Sequence, residues 1–261
     1  MKIVVIGGTG RIGSKVVARL RDQGHEVVAA ARQTGVDVLT GAGIEAAMVG
    51  AEIVVDLANS PSFEDAAALD FFQTAGLNIL AAEAKTGVAH HVALSVVGTE
   101  KHSASGYFRA KLAQEALIRD AGIPYTIVHS TQFFEFLPDI IQAAAEGETI
   151  RLSPAHVQPI ASEDVADAVA RIALQPPANG IVEIAGPERE SLCGLAQRFM
   201  ALIEDPREVV SDVHARYFGA ELEPETLMPS KAAWKGVLNF DRWLELSDFA
   251  GYDERRHEAT D

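Results

Sequence analysis

Short, nearly continuous apolar runs alternate with longer alanine-rich segments through the first half of the chain. Ile3 to Ile6, Glu26 to Ala30, Ile53 to Leu57, His91 to Leu94 and Tyr125 to Val128 are rich in β-branched residues. They lack the polar alternation of a half-exposed strand, and so predict strands buried on both faces of a parallel sheet. The segments Ile12 to Gln23, Ile44 to Val49, Asp65 to Thr86 and Gly106 to Asp120 predict helices, with Gly24, Gly50, Gly87 and Gly122 at their ends. Strand followed by helix, repeated, is the signature of right-handed βαβ units, so an α/β doubly wound parallel sheet is expected.

Beyond about residue 130 the rhythm loosens. Helices are expected at Phe134 to Glu146, Ser162 to Leu174 and Ser191 to Ile203, with Ser162 and Ser191 as N-caps. A strand at Ile181 to Ala185 follows the Asn179-Gly180 turn signal. From Asp205 onward the chain reads as an irregular lobe anchored by Trp234, Phe240 and Trp243, ending in a polar, frayed stretch over Asp253 to Asp261. The expected division is a core over residues 1–150 and a smaller substrate lobe over 151–261, interleaved with the core and not separately folded.

Between the first strand and first helix lies Gly7-Gly8-Thr9-Gly10-Arg11-Ile12-Gly13. In that position the early glycines permit a tight turn and a close backbone approach to a pyrophosphate. The last glycine lets the helix pack on the strand, and the helix N-terminus supplies N–H donors. The spacing fits either a GxxGxxG reading from Gly7 or a GxGxxG reading from Gly8, and both predict a Rossmann dinucleotide site. Where an NAD-preferring protein places an acid after its second strand, this chain has Arg32. A guanidinium pairs with a 2′-phosphate that a carboxylate would repel, so NADP(H) is expected to be preferred, with NAD(H) also possible and Arg11 as a second contact. Asp37 is a candidate for the adenine amino group. Ala58 and Asn59, at the end of the third strand, are candidates for the adenine and ribose; Asp56 before them could instead cap the loop ahead of Pro61.

The fourth strand ends at Ser95, and twelve residues on comes Tyr107-Phe108-Arg109-Ala110-Lys111 at the start of a helix. The spacing of four sets Tyr107 and Lys111 on one helical face. An ammonium beside a phenol stabilises the phenolate and, with oxidised nicotinamide nearby, lowers the phenol pKa toward working pH, which makes a general acid for carbonyl reduction. Lys111 can also hold the nicotinamide ribose, and Ser95 can orient the substrate oxygen. The alternative is that Tyr107 and Lys111 only line the cofactor ribose or lie at the surface. Gln132, Phe133 and Phe134, with Phe136, are candidates for an apolar substrate floor, or equally for helix packing. His102 is a candidate proton relay on a solvated loop.

These features, together with Gly122-Ile123-Pro124-Tyr125-Thr126-Ile127-Val128, Ile160 to Ala168 (including Asp164-Val165-Ala166) and Ile184-Ala185-Gly186-Pro187, resemble the NmrA-like NAD(P)-binding group of the atypical and extended short-chain dehydrogenase/reductases. The resemblance covers about residues 1–200. It implies a Rossmann core with a small C-terminal substrate lobe, and it aligns Ser95, Tyr107 and Lys111 with the family's triad positions. Many NmrA-like members lack the tyrosine, and its retention here favours an enzyme. The chain departs from the group at His129-Ser130, where relatives often have Arg-Pro, which alters the pocket wall near the nicotinamide.

Charge and composition narrow the partners. The net charge of the 261 residues is −15. Residues 1–130 carry −2 of it and residues 131–261 carry −13. Such a chain is a poor ligand for nucleic acid or anionic lipid. The nearly neutral half is the one that must receive an anionic dinucleotide, so a neutral or cationic substrate is favoured over a phosphorylated one. The single cysteine, Cys193, fits a reducing compartment and is expected to fill space among Leu192, Leu195 and Ala196. With no signal-peptide pattern and no run long enough to span a bilayer, a soluble cytoplasmic protein is expected. The histidines lack metal-ligand spacing and no metal is expected. The resulting reading is an NADP(H)-dependent reductase of a neutral carbonyl or quinone-like small molecule. Its rivals are an NADP(H)-sensing regulator without turnover and an NAD(P)-dependent epimerase or isomerase.

Overall fold

A computed structural model of the chain describes residues 1–230 and 233–247; the stretch Asp253 to Asp261 lies outside the described residues. In chain order the elements of the first half are β1 (Lys2–Ile6), α1 (Gly13–Asp22), β2 (Glu26–Ala30), α2 (Ile44–Met48), β3 (Ile53–Asp56), α3 (Asp65–Thr86), β4 (His90–Val96), α4 (Gly106–Asp120) and β5 (Tyr125–Ser130). The second half adds α5 (Leu137–Ala143), β6 (Ala145–Glu146), β7 (Thr149–Leu152), β8 (His156–Val157), α6 (Ser162–Ala173), β9 (Gly180–Ala185), β10 (Glu190–Ser191) and α7 (Leu192–Leu202). It closes with β11 (Glu208–Ser211), β12 (Arg216–Tyr217), β13 (Ala220–Glu221), β14 (Trp234–Lys235) and α8 (Phe240–Leu246).

Seven strands form one parallel sheet in the order β14-β9-β5-β4-β3-β1-β2. The strands bury side chains on both faces, as the continuous apolar runs require. Ile3 and Val5 of β1 pack toward α1 and α6, while Val4 and Ile6 pack toward α2 and α3. Because β1 is flanked by β2 on one side and β3 on the other, successive crossovers leave it in opposite directions. The carboxyl ends of the strands open a crevice at that switch point, the place where an open α/β sheet binds its ligands. The second half enters the same sheet through β9 and β14, and β14 extends its edge.

The second half departs from expectation in instructive ways. The stretch from Phe134 is not one helix: Phe134–Phe136 form a 3₁₀ turn, Pro138 restarts the helix at the first turn of α5, and Ala145 leaves it to pair with Ile150 across Gly147. Ser191 caps α7, its hydroxyl accepting from Gly194 N at 3.0 Å. Ser162 does not cap α6, whose N-cap is Ala161. The carboxylate of Glu135 reaches the N-terminus of α6 instead, accepting from Ser162 N at 3.0 Å and from the Ser162 hydroxyl at 2.6 Å, and it also accepts from Trp243 Nε1 at 3.1 Å. A negative charge there is favoured by the helix dipole.

Phe240 and Trp243 are buried in the larger core cluster, against Phe134. Trp234 lies partly buried over the α1–α6 side of the sheet. Asp164, at the start of α6, accepts from Val237 N and Leu238 N and ties the C-terminal segment to the core. Cys193 is buried among apolar neighbours, as its surroundings in sequence predict. Among the described residues no helix is long and apolar enough to cross a membrane.

Candidate functional site

The crevice at the switch point is the mouth of a cavity of about 910 Å³. One end is made by the turn from β1 into α1. Gly7, Thr9, Gly10, Arg11, Ile12 and Gly13 line it, as do Ala58 and Asn59 after β3. The turn is packed to the limit. A Cβ on Gly7, which has φ +71°, would come within 2.9 Å of the Leu57 carbonyl oxygen, and one on Gly13 would collide with the Gly7 carbonyl oxygen. Gly8 is turned away from the cavity, and a Cβ there would meet Val5 O at 2.7 Å and Ala29 Cα at 2.8 Å. The glycines facing the cavity are therefore Gly7, Gly10 and Gly13, which selects the GxxGxxG reading. Main chain without side chains, aimed from a helix N-terminus, fits an anionic pyrophosphate.

Arg32 lines the cavity just beyond β2, on a 3₁₀ turn over Arg32–Thr34. Its side chain is 66% exposed and its nearest acid is Asp37, 3.6 Å away. Asp37 itself is not among the lining residues: its carboxylate accepts from Leu39 N at 2.8 Å and closes its own turn. Its other oxygen is the one 3.6 Å from Arg32. Arg11 donates to the Glu135 carbonyl at 3.2 Å and lies over the Phe136 ring at 5.6 Å, so it spans the crevice toward α5 and is not paired with Arg32. Gln33 is tied to the glycine turn instead, through the Thr9 hydroxyl at 2.6 Å.

The start of α4 carries Tyr107 into the cavity wall. Gly106, just before it, lies directly against the Asp65 carboxylate at the start of α3. The Tyr107 hydroxyl donates to Asn59 Oδ1 at 3.1 Å, and burial raises the phenol pKa above its ordinary value. Lys111, one turn on, is buried. Its Nζ donates to the Leu94 carbonyl at 2.9 Å and to Gln114 Oε1, and sits 4.4 Å from the centre of the Phe72 ring. Burial lowers the Lys111 pKa to about 8, against the opposing pull of Asp56 and Glu115. Among the described residues no hydrogen bond joins Tyr107 to Lys111. The pairing expected from their spacing is replaced by Tyr107–Asn59 and Lys111–Gln114.

Ser95 lies at the cavity edge, but its hydroxyl is directed beneath α4, where it donates to Glu115 Oε1 at 2.6 Å. The same oxygen is 2.8 Å from His129 Nε2, and Arg119 holds the other carboxylate oxygen at 2.8 Å. Burial alone would raise the Glu115 pKa. His129, Ser95 and Arg119 outweigh it and hold the carboxyl below its usual range. Ser95 is thus engaged in a buried network and does not present its hydroxyl to a substrate. His129 serves that network and leaves Ser130 to line the cavity. Asp56 is likewise turned inward, accepting from Ala58 N at 3.0 Å and from Gln114 Nε2 at 2.9 Å.

Across the crevice, on the side Arg11 reaches, Phe133 and Phe136 stack at 5.5 Å and both line the cavity, whereas Phe134 packs into the core. Gln132 is buried at the same wall, with neither amide atom hydrogen-bonded among the described residues. His102 is buried and not solvated: its Nε2 lies 3.1 Å from the Tyr217 carbonyl oxygen and its ring packs on Phe108. Phe63 and Phe218 complete the wall around Tyr107. The sequence reading missed both, and no spacing motif marks either. The signals available were a phenylalanine in the loop after Pro61 and another before Gly219, where a turn residue is usual.

Residues 1–193 match the model of the NmrA-like family. The chain is 27% identical over 223 residues to the chloroplastic divinyl chlorophyllide a 8-vinyl-reductase of Cucumis sativus, covering 71% of this chain and 52% of that protein. The chain therefore spans about half the length of the curated relatives it matches. Its fold is similar to that of a short-chain dehydrogenase/reductase superfamily protein from Agrobacterium tumefaciens solved with bound NAD, with TM-score 0.71, 18% identity and full coverage of both chains. It is also similar to the Citrobacter sp. triphenylmethane reductase complexed with NADP(H), with TM-score 0.68, 16% identity and coverage of 94% and 99%. With its glycine turn, parallel sheet and matched span in agreement, the chain belongs to the NmrA-like family.

Proposed function

We propose that the chain is an NAD(P)H-dependent reductase, favouring NADP(H), that acts on a neutral carbonyl or quinone-like small molecule. The observation that carries this reading is a single cavity that joins the Gly7, Gly10 and Gly13 turn to the Tyr107 phenol. The reductase names of its relatives, the vinyl-reductase and the triphenylmethane reductase, point the same way.

The residues present fit a nicotinamide dinucleotide. Gly7 to Gly13 would hold the pyrophosphate, Arg32 a 2′-phosphate, and Ala58 the adenosine side of the crevice, with Asn59 next to it bonded to the phenol. When bound, the dinucleotide would supply a hydride to the acceptor. Tyr107 holds the accompanying proton at its hydroxyl oxygen, and the burial that raises the phenol pKa works against releasing it. Asn59 orients the hydroxyl. Lys111, fixed by Leu94 and Gln114, sets a positive charge on the same helical face below about pH 8. The acidic second half disfavours an anionic acceptor.

A second reading, a dinucleotide-binding regulator without turnover, is favoured by one observation: Ser95 and Lys111 are both engaged within the protein, leaving Tyr107 as the candidate group with a hydroxyl at the cavity. NADPH oxidation over a panel of carbonyls and quinones separates the two. The expected result is turnover that Tyr107→Phe lowers by a factor of about 10² to 10⁴, with NADPH affinity within about twofold of the parent. A chain that binds NADPH yet reduces none of the acceptors favours the regulator, and turnover without net cofactor consumption would indicate an epimerase.

A further inference from the structure

The polar side chains at the carboxyl ends of β4 and β5 are engaged within the protein, with one exception. Ser95 donates to Glu115, the Ser130 hydroxyl to the Thr131 carbonyl at 2.9 Å, and the Thr131 hydroxyl to the Gln158 carbonyl at 2.7 Å. Gln132 lines the cavity beside them and is only 9% exposed, yet neither Nε2 nor Oε1 has a hydrogen-bond partner among the described residues. A primary amide in that position has given up its water on both a donor and an acceptor and has nothing in exchange. Folded proteins rarely keep such a group unless something outside the chain completes it.

Gln132 is held by its main chain and not by its amide. Its carbonyl accepts from Ile160 N at 2.8 Å, and the preceding Thr131 N donates to Ile184 O at 3.1 Å. With no hydrogen bond on the amide, the side chain can turn about its own bonds into the cavity. The strand order decides what meets it there. β2 is the edge strand, with Arg32 just beyond it, and the glycine turn follows β1. A dinucleotide anchored at those two points has to extend over β3 and β4 toward β5, which brings its nicotinamide half to the Gln132 end. The nicotinamide ring carries a carboxamide, an N–H donor beside a C=O acceptor. That pair satisfies both free atoms of Gln132, whereas a ketone or quinone oxygen would satisfy Nε2 and leave Oε1 unpaired.

We infer that Gln132 recognises the nicotinamide carboxamide, amide to amide, and so fixes how the ring is turned in the cavity. This moves Gln132 from the substrate floor to the cofactor. It rests on the dinucleotide reading of the cavity and not on turnover. A buried polar group that has lost its one partner is left unpaired, so the site should reject a ring that lacks the amide N–H.

The test is calorimetric titration of the full chain with three ligands. They are NADP⁺, its 3-acetylpyridine analogue, in which a methyl group replaces the amide nitrogen, and 2′,5′-ADP, which lacks the nicotinamide half. A parallel set without the 2′-phosphate serves a chain that prefers NAD⁺. The parent should bind NADP⁺ about tenfold or more tighter than the analogue, the loss expected for one unpaired buried group. Gln132→Leu, and Gln132→Met as a second apolar variant, should weaken NADP⁺ until the two ligands lie within about twofold, and should leave 2′,5′-ADP within about twofold of the parent. Without ligand, Gln132→Leu should raise Tm, because it removes two unpaired buried atoms. A parent that binds NADP⁺ and the analogue alike overturns the inference whatever the variants do, and so does a variant that keeps the discrimination. Equal losses for NADP⁺ and 2′,5′-ADP, or a lowered Tm, would make Gln132 a structural residue and overturn it too. A chain that binds none of the ligands overturns the dinucleotide reading itself, whereas binding of 2′,5′-ADP without discrimination at the ring overturns only the role of Gln132.

Discussion

At the glycine end of the cavity the working surface is main chain, supplied by a contiguous stretch from Gly7 to Gly13. At the Tyr107 end it is side chains, carried by elements far apart in sequence: Phe63 after β3, Tyr107 on α4, and Phe218 on the β12–β13 hairpin. The two ends solve different problems. A pyrophosphate is the same in every dinucleotide, so its site needs close-packed backbone donors and no side chain at all. A substrate has its own shape, so its site needs side chains, and these are drawn from whatever the topology places at the carboxyl edge of the sheet. The first end is intolerant of added atoms and the second should be tunable by exchanging them.

Adding atoms at the glycine end should give the largest effect. Gly13→Val places a branched side chain against the Gly7 carbonyl and must push α1 off the turn. Overpacking of this kind costs about 3 kcal/mol, on the order of a hundredfold in dinucleotide Kd. Gly10→Ala is the control, because its Cβ would meet only the Gly7 carbonyl oxygen, at 3.2 Å. It should leave Tm nearly unchanged and weaken NADPH binding through lost backbone approach. If both variants bind NADPH like the parent, the anion site is not the glycine turn.

One side chain at the glycine end is expected to matter, and it marks the limit of the contrast. Arg32 is exposed and its neighbour Asp37 is 3.6 Å away, so little within the protein fixes it. Arg32→Ser should weaken NADPH binding by about tenfold, in line with the loss of a solvent-screened, charge-assisted contact, and leave NADH within about twofold. Equal losses for both cofactors would assign Arg32 to the shared part of the dinucleotide.

The same contrast decides what could be read from sequence. The glycine turn, the strands of the sheet's first half, and the helix over Asp65–Thr86 were legible because each is specified by local periodicity and by glycines placed next to the elements they end. Tyr107 and Lys111 were also legible as a pair on one helical face, but their partners were not. Asn59 and Asp56 lie on other elements, and packing of α4 over β3 decides that the phenol meets Asn59; Gln114 is one turn from Lys111 on α4 itself, and Asp56 of β3 holds its amide while it receives the ammonium. Ser95 misleads for the same reason: strand alternation directs its side chain to the α4 face, where Glu115 receives it. Phe218 could not be found locally, because the residue breaks the rule of its own turn.

Proton release from Lys111 should separate the two ends with the smallest effect. Burial lowers its pKa to about 8, with Asp56 and Glu115 opposing the shift. Asp56 reaches it through Gln114 from β3, Glu115 lies on α4 itself, and Phe72 covers it from α3. If its charge supports the step at Tyr107, turnover with NADPH and a reducible acceptor should fall about fourfold between pH 7 and 8.5, following the protonated fraction. Binding of 2′,5′-ADP, which engages only the glycine and Arg32 end, should stay within about twofold over that range. Stability should move the opposite way. The unfolded chain keeps this proton up to about pH 10.5, so between 8 and 10.5 the folded state has released a proton that the unfolded state still binds, and the Lys111 contribution to stability rises with pH. Lys111→Met should remove both trends at once. A turnover profile that stays flat to pH 9 while the stability trend persists would leave Lys111 buried as described but detach it from the chemistry at Tyr107.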